Sequence, residues 1–293
     1  MKKVVRNLIL LVICLLIAGA VLYFVSDYGF LNKRENNVIE PREEKTVRII
    51  EGWTSRGIGQ YLEYQGIWMS EELLEVAGFP QVDYNLETEM PTPKDFSAEY
   101  SFLDDKPKNR GLEGYLYPDT YRIYATSSTP VDLIEKMLAN FDKHLTPQMR
   151  EDIKKQGKTI YEIVTMASIL EKEAPINYAT GDNQDARIIS GIFWGRIEAG
   201  QALQSCASLA YILGVDKQQY SAEDTQIDSP YNTYMNRGLP PGPISNPGIL
   251  AIEAAIYPTE SDYNYFLTPA GSKDIIYSKT YDEHLQNKYK YLP

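Results

Sequence analysis

Apolar positions along the chain fall into blocks of different period, and the first block has no polar break at all. Leu8 to Val25 is a run of eighteen apolar residues. At 1.5 Å rise it would extend about 27 Å, just enough to cross a hydrocarbon core. Lys2, Lys3 and Arg6 precede the run and Asp27 follows it, so the pattern predicts one membrane-spanning helix, N-terminus cytoplasmic and the rest of the chain outside. A cleaved signal peptide with Ala18-Gly19-Ala20 as its small-residue site is the rival; continuation of the run through Val21, Leu22, Phe24 and Val25 favours the span.

Ser26 to Glu44 is polar and reads as a linker. Beyond it Thr46 to Ile50 alternates as a short strand, and Glu51 to Thr54 makes a turn into a helix carrying Ile58, Tyr61 and Leu62 that runs to Gly66. Ser70 is expected to cap a second helix stopped by Gly78. Pro80 to Asn109 carries no period and reads as an irregular connection. Helical periodicity returns behind Thr129-Pro130, with Val131, Ile134, Met137, Leu138 and Phe141, and again behind Thr146-Pro147 as far as Gly157.

The densest apolar helix is 159–174. Thr159 and Glu162 have capping-box spacing at its start, and Pro175 pushes Ala174 out of the helical region at its end. At 100° per residue Ile160, Ile163, Val164, Ala167, Leu170 and Ala174 share a face with Met166 and Ile169 beside it. Lys172 points the opposite way, beside Thr165, whereas Glu173 falls between Met166 and Ile169 and Glu171 falls beside Val164. Two carboxyls therefore border a buried stripe at a helix C-terminus. On an arbitrary helix they would be ordinary last-turn glutamates; here the macrodipole and partial burial both favour the protonated form, the state a general acid needs.

The remaining pattern is a buried helix over Arg187 to Ile197, a helix or turn from Cys206 to Leu213, and a short helix over Ile249 to Ile256. Two strands follow, Tyr263 to Thr268 and Ile275 to Ser278, with a last helix containing His284. Leu112 to Tyr121, where Glu113, Tyr117 and Asp119 stand among aromatics, reads as a turn packed by its tyrosines. Ser229 to Tyr234, which holds Asn232 and Tyr234, and Gly238 to Gly248 together form a loop too punctuated for regular structure. Long ordered loops of this kind line sites.

Composition narrows the chemistry. A net charge of −11, with no cluster of Lys and Arg, argues against nucleic acid as a partner. Two cysteines, Cys14 and Cys206, predict no structural disulfide, and with only His144 and His284 neither a histidine-rich zinc site nor any cofactor is expected. Serine-nucleophile signatures are missing too. The 23 tyrosines suit both core packing and stacking on sugar faces.

Six pieces in order carry a resemblance. They are Leu112-Glu113-Gly114 with Tyr117-Pro118-Asp119-Thr120; Ala167 to Glu173; Leu203-Gln204-Ser205; Tyr231-Asn232-Thr233-Tyr234; Gly238 to Ile244 with Asn246-Pro247-Gly248; and Ser278-Lys279-Thr280 with Glu283-His284. The chain resembles the MltG (YceG-like) endolytic murein transglycosylase family over its C-terminal two thirds. The resemblance implies an α+β protein with a single N-terminal transmembrane helix (1–28), a linker (29–45), a small LysM-like module and connection (46–110) and a mixed α+β catalytic domain (111–293). The strand-helix-helix run at 46–78 suggests the same module, although a plain packing unit fits it nearly as well.

The implied activity is cleavage of peptidoglycan between N-acetylmuramic acid and N-acetylglucosamine inside nascent strands. The products would carry 1,6-anhydromuramic ends, and the implied partner is the cell-wall synthesis machinery. Glu173 falls on the family's catalytic acid. Glu113, Tyr117, Asp119, Glu171, Gln204, Asn232 and Tyr234 are candidates to hold substrate. Cys206 stands where the family usually has Asp, and Gly195-Arg196-Ile197 where Asn-Arg-Leu is common. A peptidoglycan-binding scaffold with a weakened site, or a murein hydrolase, remains an alternative.

Overall fold

The computed structural model of the chain describes Lys3 and residues 12–24, 44–86, 88–124, 127–217, 219–269, 271–272 and 274–292. Residues 1–43 and 44–293 are separate compact units. In the first, residues 12–24 are helical. No helix among the described residues is long and apolar enough to cross a membrane. That overturns the single-pass anchor expected from Leu8 to Val25, and with it the cell-membrane placement with a cytoplasmic N-terminus. At 1.5 Å per residue the described helix extends only about 20 Å, short of a hydrocarbon core. The rest of that run lies outside the described residues, as does the expected linker apart from Glu44, which opens the first strand.

The second unit is a mixed α+β fold. Its elements are β1 (Glu44–Arg48), α1 (Ser55–Tyr64), α2 (Ser70–Ala77), β2 (Thr120–Tyr124), α3 (Pro130–His144), α4 (Pro147–Lys155), α5 (Ile160–Glu173), α6 (Gln184–Glu198), α7 (Cys206–Leu213), α8 (Ile249–Ile256), β3 (Tyr265–Leu267), β4 (Ile276–Ser278) and α9 (Tyr281–Tyr291). β1 pairs antiparallel with β2, Val47 opposite Tyr121, and β3 pairs antiparallel with β4, Phe266 opposite Tyr277. Sequence reading missed β2 and treated its start as part of an aromatic turn. Tyr121 and Ile123 point inward between exposed Thr120, Arg122 and Tyr124, which is strand alternation.

Caps behave largely as the residue types dictate. Thr54, Thr129, Thr146 and Thr159 each accept an amide in the first turn of their helices. At α2 the cap is Met69 rather than Ser70, because the Glu72 carboxylate reaches back to accept from the Met69 amide at 2.9 Å.

α5 is the centre of the core and packs against α8, α6, α7 and α4. Its burial differs from the one-sided stripe expected. Every residue from Ile163 to Leu170 is buried, Thr165 and Ser168 included. The two hydroxyls make this tolerable by donating to their own helix, Thr165 to the Tyr161 carbonyl and Ser168 to that of Thr165. The 238–248 loop then covers the polar side: the Ile244 amide donates to Ser168 Oγ at 2.9 Å and Ser245 Oγ to the Ser168 carbonyl at 2.9 Å.

Asn246 ties two segments to that loop. Its Oδ1 accepts from the Gly114 and Leu116 amides, and its Nδ2 donates to the Trp53 carbonyl and to Glu113 Oε1, all within 2.9–3.0 Å. Gly114 makes this junction possible. It sits at φ +91°, and a Cβ there would stand 2.6 Å from Pro243 and 2.7 Å from Val164.

Candidate active site

The end of α5 places its two glutamates in different surroundings. Ala174 is extended (φ −107°, ψ 143°) and closes the helix as Pro175 requires. Glu171 Oε2 accepts from the Tyr178 hydroxyl and, at 3.0 Å, from the Gly248 amide. Burial raises its carboxyl to about 7 against the pull of both donors. Glu173 turns toward the start of α7 instead, where Oε1 accepts both from Ser205 Oγ and from the Ala207 amide, the latter at 3.1 Å. No protein donor among the described residues reaches Oε2.

Burial holds the Glu173 carboxyl above the ordinary glutamate range. The Ser205 hydroxyl, the Ala207 amide and the Arg196 guanidinium pull it down, and Asp216 pushes it up. Ser205 is itself fixed: its amide donates to Thr233 Oγ1 at 3.0 Å, and Thr233 Oγ1 lies 2.9 Å from Ser208 Oγ. The carboxyl is thus carried on a core helix and clamped on one oxygen by a buried hydroxyl cluster.

Around it stand Tyr234 and Cys206, whose hydroxyl and thiol lie 3.1 Å apart. Desolvation raises the Cys206 thiol first and the neighbouring Glu173 charge raises it further, so the group stays neutral near pH 7. Arg196 donates to the Leu203 and Asn264 carbonyls and so braces the 203–206 segment against the start of β3. Two cavities reach this segment. One of about 490 Å3 is lined by Thr54, Arg56, Gln60, Ala207, Tyr211 and Asp216 among others. The other, of about 400 Å3, is lined by Arg196, Gln204, Asn264 and Tyr265 among others. They meet the chain on either side of Ser205-Cys206.

The remaining candidate residues divide. Gln204 and Tyr234 stand beside Glu173's partners, whereas Asn232 is fully buried with Nδ2 donating to the Thr225 and Ile227 carbonyls and Oδ1 accepting from the Tyr234 amide. Glu113 is buried at the junction with α1, accepting from the Ser55 amide and hydroxyl at 2.9 and 2.7 Å, and burial lifts it to about 7. Tyr117 stacks on His144 at 4.4 Å, and Asp119 accepts from Asn140 Nδ2 at 2.7 Å. Those three belong to a different region from Glu173. Sequence reasoning did not assign roles to Ser205 and Arg196; both lie inside the quoted motifs, but only the fold brings them to the carboxyl.

Residues 29–290 match the YceG-like family. The chain is 35% identical over 181 residues to the endolytic murein transglycosylase of Bacillus subtilis, covering 62% of this chain and 48% of that protein. It is 39% identical over 181 residues to the endolytic murein transglycosylase of Streptococcus pneumoniae, covering 60% of this chain and 31% of that protein. The matched part therefore spans about half the length of these relatives or less. Among solved structures, a YceG-like protein of Listeria monocytogenes superposes with a TM-score of 0.68 at 33% identity, covering 82% of this chain and 75% of that one. With a family match over most of its length and a solved relative of the same fold, the chain belongs to the YceG-like family.

Proposed function

We propose that this chain is an endolytic lytic transglycosylase of peptidoglycan, with Glu173 as its one general acid and base. The observation that carries the reading is the asymmetry of that carboxyl: both protein donors converge on Oε1, so the proton of the neutral acid belongs on Oε2, the oxygen without a protein partner. Desolvation raises that carboxyl above the ordinary glutamate range, in the direction a general acid needs.

In the first step Oε2–H protonates the glycosidic oxygen and the C1–O bond of the muramic residue breaks. In the second the muramic O6 closes on C1 while its proton passes to the Glu173 carboxylate. The new C1–O6 bond replaces the one broken, no water is consumed, and the enzyme regains its acid form. Ser205 and the Ala207 amide stabilise the carboxylate between the two steps. Glu171 shows the same asymmetry, with both donors on its Oε2, but Tyr178 and Gly248 line neither cavity, so Glu171 takes no part in this scheme.

One observation favours hydrolysis as a second reading. Asp216 lines the larger cavity and its charge acts on Glu173, and a hydrolase needs a second carboxylate to place water or attack C1. Digestion of murein sacculi followed by mass spectrometry separates the two, since transglycosylation leaves anhydro ends and hydrolysis leaves reducing ends. Glu173→Gln should lose at least the roughly 10²–10⁴ that general acid catalysis supplies while melting like the parent. Reducing ends in the digest, or comparable turnover by that variant, sinks the proposal.

The same proposal extends to the layout: a LysM-like module at 46–110 and a catalytic domain at 111–293. The strand-helix-helix run with α1 packed on α2 supports the module, and the β1–β2 pairing joins it to the second region. Cleavage inside nascent strands would set the chain to work beside the cell-wall synthesis machinery.

A further inference from the structure

The cavity of about 400 Å3 beyond Gln204 has a wall that the proposed chemistry does not use. It falls in the size range of small-molecule sites, about 300–1,000 Å3. One side is the 196–204 segment, with Arg196, Gln201 and Gln204; the other is the C-terminal hairpin and the start of α9, with Asn264, Tyr265 and Tyr281.

Three features give it a chemical character. The first is aromatic: Tyr265 and Tyr281 have ring centroids 5.9 Å apart at 54°, and Tyr281 is 57% exposed. The second is a set of uncommitted amides. Gln201 and Gln204 are exposed and their side chains make no hydrogen bond to the described protein, while Asn264 Nδ2 donates to the Lys279 carbonyl at 2.9 Å and leaves its Oδ1 open. Gln204 is also one of two non-glycine residues at positive φ (54°) among those described, held there by its amide donating to the Thr233 carbonyl at 3.0 Å. A side chain kept in a disfavoured backbone state beside the proposed acid's partner Ser205 marks a position that the surrounding structure specifies.

The third feature is neutrality. Arg196 donates to two carbonyls, and Lys279 pairs with Asp262 at 3.0 Å, so both cations in the wall are engaged. Tyrosine faces with open amide donors and acceptors, and no unengaged charge, suit an N-acetylated sugar rather than an acidic peptide.

We infer that this groove is a saccharide subsite, taking an uncharged N-acetylhexosamine unit of the glycan strand on one side of the scissile bond. The sugar stacks on Tyr281, held beside Tyr265 whose own ring packs on His284 and Arg196, and bonds through its hydroxyl and N-acetyl groups to Gln201, Gln204 and Asn264. The inference rests on the transglycosylase reading and goes further, naming what holds the strand beside Glu173. With the cavity that begins at Ala207, it gives a strand room to continue past the acid in both directions, as internal cleavage requires.

The test uses the full chain carrying Glu173→Gln, titrated calorimetrically with murein glycan strands stripped of their stem peptides. Tyr281→Ala and Gln201→Ala in that background should each weaken binding about five- to tenfold, from a stacking or hydrogen-bond contact. In the active chain they should raise KM with little change in kcat. Tyr289→Ala, on the same helix but outside the groove and 85% exposed, should bind as its parent. If the strands bind but Tyr281→Ala and Gln201→Ala bind equally well, the subsite is wrong and the enzymatic reading stands. If binding appears only with peptide-bearing strands, the groove reads something other than sugar and the inference falls. If the active chain neither binds nor cuts strands of either kind, the transglycosylase reading fails and takes the subsite with it.

Discussion

Removing the Ser205 hydroxyl tests the electrostatics of the proposed site without touching its acid. Ser205→Ala deletes one of two donors on Glu173 Oε1 and leaves the Ala207 amide, while the Ser205 backbone keeps its bond to Thr233 Oγ1. A hydrogen bond to a charged group is worth about 1.5–3 kcal/mol, and the low end applies where a second donor remains. At about 1.4 kcal/mol per decade the acid dissociation of Glu173 should become roughly tenfold less favourable. The sign follows from the role. The free enzyme must hold the proton, so kcat/KM falls as pH rises through the Glu173 titration, and losing a donor to the carboxylate moves that descending limb to higher pH. At the optimum kcat should drop, because Oε2 is less well aimed. Release of anhydro-muropeptides from sacculi across pH 5 to 9, for parent and variant, gives the profile. A limb that stays in place or moves to lower pH would refute both the clamp and the assignment of Glu173 as the titrating acid.

Cys206→Asp should move the same limb upward, since a second carboxylate beside Glu173 opposes its ionisation, where the thiol is neutral. Thermal stability should be greater at pH 5 than at pH 8: the folded-state carboxyls of Glu113 and Glu171 lie near 7 against 4.5 unfolded, so folding takes up protons and stability is lost as pH climbs between those values. Melts of Glu113→Gln with Glu171→Gln should show a flatter profile, and an unchanged slope would rule out these two groups as its source. Asn246→Ala strips the partner from two buried amides, Gly114 and Leu116, each costing about 1–3 kcal/mol when left unmade, while the Trp53 carbonyl keeps the residue 246 amide and Glu113 keeps Ser55; the midpoint of urea unfolding should fall steeply, and a loss under about 1 kcal/mol would contradict the hub geometry.

What could be read from the sequence follows the range of the interactions involved. The capping box at Thr159, the stop at Ala174, and the helices behind Thr129-Pro130 and Thr146-Pro147 all appear as read, because each depends on residues within one turn. The full burial of α5 was not legible. Thr165 and Ser168 look like a polar face until their hydroxyls fold back on the helix and Ile244 and Ser245, some seventy-six residues onward, close over them. β2 was missed for a related reason: five alternating residues gain meaning only from β1, far back in the chain. The membrane span failed on length among the residues described, since apolar composition alone does not set how far a helix runs.

The site shows the same division. A helical wheel can say that Glu171 and Glu173 leave α5 in different directions, and the structure gives them different partners. The wheel cannot say which direction is the reactive one. That depends on α7, whose first-turn amide at Ala207 and preceding Ser205 arrive from thirty residues away and occupy one oxygen of Glu173. Both oxygens of Glu113 accept protein donors, and Oε2 of Glu171 accepts two. All three carboxyls are pushed upward by burial, so a raised pKa alone does not distinguish acid from strut. Glu171 and Glu173 each keep one oxygen without a protein donor among the described residues, so the distinguishing property is the anchoring segment: cavities reach both sides of Ser205-Cys206, and neither is lined by Tyr178 or Gly248.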